Sequence, residues 1–208
     1  MTGMIDSFND NTTGWARFSD EHKPVMRYRL ARACTSRAAE NIRCQRLGLT
    51  LQTMSYELDR VVFLMLNPST ADAFELDPTV RECLRFARLW VPSIDLLEVV
   101  NLFAFRSPYP KDLRAAPDRG DDEMADQQIL EACTGAELVI AAWGTGGELG
   151  GRASAVSSML HDNGVQLHRL GLTKDLHPKH PLARGKHRIP REQHPVPHPW
   201  TVRDSSAS

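Results

Sequence analysis

No apolar run in this chain approaches the length of a membrane-spanning helix. The longest, VVFLML at 61–66, falls far short of the roughly 20 residues needed. Cysteine is scarce and scattered. Cys34, Cys44, Cys83 and Cys133 form no C-x-x-C pair, a pattern that suits neither a zinc ribbon nor a disulfide framework. Free thiols in a reducing cytosol are expected, and with them a cytoplasmic location. The opening residues, MTGMIDSFNDNTTGW, lack an apolar h-region, so no secretory signal is expected. An excess of either charge is also missing: 25 Lys and Arg face 26 Asp and Glu, for a formal charge of −1. Any hold on a polyanion must therefore come from a local patch. No internal repeat or low-complexity tract stands out. What remains is an ordinary globular composition, 41% hydrophobic and 25% charged over 208 residues, enough for one well-filled core.

Residues 1–24 are polar and aperiodic, which predicts a loosely ordered segment. RYRLARA (27–33) reads as a short strand, followed by an irregular basic insert over 34–56. DRVVFLMLNP (59–68) is an apolar run closed by Asn-Pro, the pattern of a strand buried on both faces. In DPTVRECLRFARLW (77–90), Asp77 is placed to cap and Pro78 to open a helix whose Val80, Cys83, Leu84 and Ala87 recur at helical spacing. Residues 96–105, 137–144 and 165–173 read as further strands. Residues 121–133 and 152–164 read as helices, the first with an acidic opening turn and the second ending at Gly164. Strands alternating with helices predict a parallel sheet covered on both faces, with ligands bound beyond the carboxyl ends of the strands. A basic, His- and Pro-rich tail is expected over 184–208.

That rule nominates LNPSTAD (66–72), the segment from Asn101 to Arg106, WGTGG (143–147) and TKDLHPKHPL (173–182). Asn67 at the end of its strand either makes an Asx turn or holds a water or sugar hydroxyl. Asp72, Glu75 and Asp77 are placed either to act as general base or to cap the next helix. Asn101 lies inside an apolar strand, where its amide must find a partner, backbone or ligand. Paired with a ligand, it matches the donor–acceptor edge of a base. The glycines from Gly144 onward fail the G-x-G-x-x-G spacing, because Leu149 stands at the third glycine. A tight turn offering backbone N–H groups to a ligand stays open, and Trp143 reads as core. The tail histidines do not have zinc-type spacing: His194 and His198 flank Pro195 and Pro197 and cannot share a helix face. Neither metal nor cofactor is expected. The tail's Lys and Arg either grip phosphates or are simply solvated.

LNPSTAD, VVNLFAFRSPYPKDL, AAWG and LGLTKDLHPKHPL, in that order, resemble the bacterial and phage family called domain of unknown function 1643, over about residues 25–183. A single α/β domain is expected over that span. VVFLMLNPSTADA is also similar, more distantly, to the first motif of the uracil-DNA glycosylase superfamily, although Met65 stands where that motif has glycine. This second resemblance implies a three-layer α/β/α fold with a four-stranded parallel sheet in order 2-1-3-4. It implies Asn67 as the residue that places water, and Asn101 with Pro68 at the base. It puts the leaving-base histidine at His177 and the DNA-wedging leucine at Leu182. Ser69, Gly144, Lys174 and Lys179 fall to phosphate or DNA binding. The last motif carries an extra residue, with Lys179 and His180 replacing a small Ser-Pro pair.

The resulting expectation is a protein that handles a nucleobase or nucleotide, of the kind used in DNA repair or modification. It would cleave an N-glycosidic bond of a modified or mismatched base in DNA. Two alternatives are a nucleic-acid or modified-base reader without turnover and an enzyme acting on free nucleotides. DNA or a nucleotide is the expected partner and a membrane is not. Asn67, Asn101 and His177 are expected to face one cavity at one rim of the sheet.

Overall fold

The computed structural model describes residues 4–8, 14–19, 26–46, 58–69 and 77–199. Its centre is the strand predicted from VVFLML, β4 (Arg60–Met65), every apolar residue of which is buried. Neighbouring side chains on it point to opposite faces, as the two-residue strand period requires. Phe63 packs with helix α2 (Pro78–Trp90) through Val80, Cys83 and Phe86. Val62 and Leu64 pack with α4 (Glu123–Cys133) and α5 (Arg152–Asp162) through Ile129, Ala132, Val156 and Leu160. The sheet is thus covered on both faces. Asp77 caps α2 as expected, its Oδ1 accepting from the Val80 N–H at 2.8 Å, and Asp122 caps α4 in the same way.

Strands β5 (Leu96–Asn101), β4, β6 (Leu138–Ala141) and β7 (Leu167–Arg169) lie side by side and parallel in that order. The whole sheet is larger and mixed. Among the described residues it has eight strands in order β1-β2-β3-β5-β4-β6-β7-β8, with β1 (Met4–Phe8), β2 (Gly14–Ser19), β3 (Arg27–Ala33) and β8 (Val196–Pro197) added antiparallel at the two sides. The expected count of four strands is therefore corrected to eight. Residues 4–8 and 14–19, expected to be loosely ordered, are strands. Buried Glu98 on β5 accepts from Arg29 of β3 at 2.8 Å and from Arg60 of β4 at 3.1 Å, so the antiparallel extension is fastened by ions as well as apolar contact. Part of the expected insert is likewise regular, as α1 (Ser36–Arg46), whose Ala38 and Ile42 pack on Trp15, Ala31 and Leu96.

The segment after residue 183 is not a free tail through residue 199. Ile189 enters the core on the α2 face. Arg85 and the Trp90 indole donate to the carbonyls of Arg191 and Gln193 at 2.7 and 2.9 Å. Side chains of the domain thus satisfy the segment's backbone, which is what fixes an otherwise polar stretch. No helix among the described residues is long and apolar enough to cross a membrane.

Candidate functional site

The carboxyl ends of the parallel strands carry two cavities with Trp143 as a shared wall. The first, about 470 Å³, lies between the loop after β4, the segment after β5 with helix α3 (Pro110–Ala115), the turn after β6 and residues 180–184. Its size is within the range usual for small-molecule sites. Asn67, Ser69, Gly144 and Leu182 all line it.

Asn67 is held firmly. Its Nδ2 donates to the carbonyls of Ser107 at 2.9 Å and of Phe105 and Pro68 at 3.3 Å. The Ser107 N–H returns to the buried Pro68 carbonyl at 2.9 Å. With the amide's donor side anchored, its Oδ1 is oriented and accepts from no described residue, so it can serve a water or hydroxyl. Ser69 donates to Asp77 Oδ2, while Asp77 Oδ1 caps α2. Both oxygens of that carboxylate are therefore committed to structure. Asp72 and Glu75 lie outside the described residues.

His180 also lines this cavity. Its Nδ1 accepts from the Leu182 N–H at 3.1 Å, which leaves the ring proton on Nε2. Burial holds its pKa below the ordinary value, only partly opposed by the negative charge of Asp77, so the ring is neutral near pH 7. Arg114 and Arg184 complete the wall, and neither makes an ion pair with a described residue. No carboxylate lines the cavity among the described residues. The Gly-rich turn owes its composition to geometry. Gly144 sits at φ +69° with its N–H on the Pro178 carbonyl. A Cβ on Gly147 would fall 2.1 Å from Cδ1 of Trp143.

The expectation that Asn67, Asn101 and His177 share one cavity is not met. His177 lines the second cavity, about 390 Å³, where its Nδ1 stands 3.9 Å from Glu148 Oε1. Asn101 ends β5 buried, its Nδ2 without a partner, and lines neither cavity. Lys174 is exposed on the 173–177 turn, and the stem of Lys179 runs over Gly171. Neither lysine lines either of these two cavities. Leu182 is half-buried in the cavity wall.

His180, Arg114 and Arg184 were not singled out from sequence as site residues. One signal for His180 was available: the His-Pro pair occurs twice in LHPKHPL, at His177-Pro178 and His180-Pro181. Arg184 falls in the basic tail expected either to grip phosphates or to be solvated, whereas Arg114 gave no signal, because α3 and the 180–184 segment come together only in the fold.

No curated protein and no solved structure matches the chain. A family model described as a protein of unknown function, DUF1643, matches residues 49–182, and the chain belongs to that family.

Proposed function

We propose that the first cavity holds a nucleotide, free or as a unit of DNA, and hydrolyses its N-glycosidic bond. One observation carries this reading. An anchored amide oxygen (Asn67), a neutral imidazole with its proton on Nε2 (His180) and two guanidiniums without an ion pair among the described residues (Arg114, Arg184) line one cavity at the strand ends. Guanidiniums match phosphate oxygens geometrically, and two of them with no carboxylate among the described lining residues favour an anion. The parallel order of the four central strands is the one implied by the resemblance to uracil-DNA glycosylases, which adds support by analogy of fold.

In this mechanism Asn67 Oδ1 orients a water toward the sugar carbon as the carbon–nitrogen bond breaks. The bonding electrons leave with the base, whose developing negative charge is met by the Nε2–H of His180. The water's oxygen ends on the sugar and its proton on the released base. His180 takes the part first expected of His177.

A second reading is a base or nucleic-acid reader that binds without turnover. It is favoured by the lack of a carboxylate among the described lining residues, since none of them can take a proton from water strongly. Incubation with oligonucleotides bearing uracil, mismatched or modified pyrimidines separates the two. Alkali-labile abasic sites are the expected result, and binding without such sites supports the reader. No binding of any oligonucleotide or mononucleotide contradicts both.

A further inference from the structure

Among the described residues Tyr109 is the one exposed Phe, Tyr or Trp, with 60% of its surface in solvent. Its backbone is nonetheless fixed. Pro110 follows it and restricts it to the extended region, where it sits at φ −113° and ψ 115°. The Tyr109 N–H donates to Ser107 Oγ at 3.0 Å, and that hydroxyl donates in turn to the Asp112 carboxylate at 2.7 Å. Buried Ser107 is tied to the Asn67 loop through both its N–H and its carbonyl. Buried Leu113 anchors α3 in the core. The ring is therefore held out from a rigid base, which lowers the ordering cost of binding anything to it.

Tyr109 does not line the first cavity, although its neighbours Ser107 and Pro108 do. A ligand confined to that cavity leaves the ring unused, whereas one that continues past the rim meets it. Two cations accompany the ring. Lys111 lies over it, with Nζ 5.7 Å from the ring centroid. Arg114, three residues further on, shares that side of the helix and lines the cavity. Both are exposed. An aromatic platform beside a row of cations is the combination that holds single-stranded nucleic acid, bases on the ring and phosphates on the cations.

We infer that Tyr109, Lys111 and Arg114 form a track for single-stranded DNA leading out of the first cavity. The base next to the nucleotide in the cavity stacks on Tyr109, and Lys111 and Arg114 hold the phosphates that link the two. A duplex fits this track poorly, because the neighbouring base must then leave its own stack as well. This inference rests on the nucleotide reading of the first cavity and adds to it the form of the substrate.

Titration of the full chain with three probes tests it: a deoxyuridine 5′-monophosphate, a single-stranded pentamer of thymidines around one deoxyuridine, and that strand lengthened and paired as a duplex. Each deoxyuridine carries a 2′-fluorine, whose electron withdrawal resists glycosidic cleavage. The pentamer is expected to bind about tenfold more tightly than the monophosphate, and the duplex more weakly than the same lengthened strand left unpaired. Tyr109→Ala, checked for an unchanged thermal melt, is expected to remove most of that tenfold gain and to leave the monophosphate unaffected. Tyr109→Trp, which keeps a ring, is expected to retain it. Lys111→Gln should lower the slope of pentamer affinity against salt by about one. Equal affinity for pentamer and monophosphate, parental pentamer affinity in Tyr109→Ala, or preference for the duplex overturns the track and leaves the nucleotide reading standing. Binding of none of the probes overturns both.

Discussion

Two cavities of similar size sit either side of Trp143, yet their walls have opposite electrostatic character. Among the described residues, one carries Arg114 and Arg184 and no carboxylate; the other carries Glu148 and Asp175 and no Lys or Arg. The chain's overall charge of −1 conceals this division. Bulk charge therefore says little about ligands here, and the local walls say more. The comparison also separates two histidines that look alike in sequence. Only His180 shares a cavity with Asn67, while His177 faces Glu148.

The largest effect expected from breaking this comparison is on turnover. His180→Ala and Asn67→Ala should each lower base release by on the order of a hundredfold or more, whereas His177→Ala should leave it within a few-fold. Single-turnover rates on the best oligonucleotide check this, and equal losses at His177 and His180 would contradict the assignment. Next in size is Gly147→Ala. The added methyl must displace the Trp143 indole, the wall common to both cavities. A loss of about 1–3 kcal/mol in denaturant unfolding is expected from such overpacking, with nucleotide binding in the first cavity altered as well.

Replacing Arg114 and Arg184 by Ala should weaken nucleotide binding by about tenfold or more and flatten its salt dependence. The Glu148→Gln, Asp175→Asn variant should move that affinity less than about twofold. Matched titrations in low and moderate salt would show whether the two walls act independently.

The smallest effect concerns pH. Burial first, and the charge of Arg169 second, push the folded-state pKa of His198 down to about 4 from its ordinary 6.5, so the unfolded chain binds the proton more readily. Its contribution is fully retained above about pH 6.5 and is lost progressively as pH falls from there toward 4. His198→Phe should reduce that part of the acid destabilisation, as read from melting temperatures across the interval. An unchanged pH profile would mean that the ring is not held neutral.

What sequence made legible follows a physical line. Strands buried on both faces and capped helices leave strong local patterns, so β4, β5, β6, α2 and α4 were read closely. The antiparallel extension was missed at β1 and β2. There, polar and charged residues hide strands whose pairing depends on distant partners, as with Gln128 of α4, which accepts from Arg17 of β2 at 3.1 Å. Residues 184–199 look like a solvated tail because their fixation comes from Arg85 and Trp90, about a hundred positions earlier. The site was half legible. Asn67, Ser69, Gly144 and Leu182 were nominated by the rule for strand ends. His180 was hidden by its twin, and Asn101 by the fact that a buried amide gives no sign of whether it opens onto a cavity.

The most direct test is a crystal structure of the chain bound to a short oligonucleotide carrying one deoxyuridine. A phosphate held by Arg114 and Arg184, with the base beside His180 and Asn67, is the predicted result. A nucleotide lodged instead against Glu148 and Asp175, or one that leaves both cavities empty, would contradict the account.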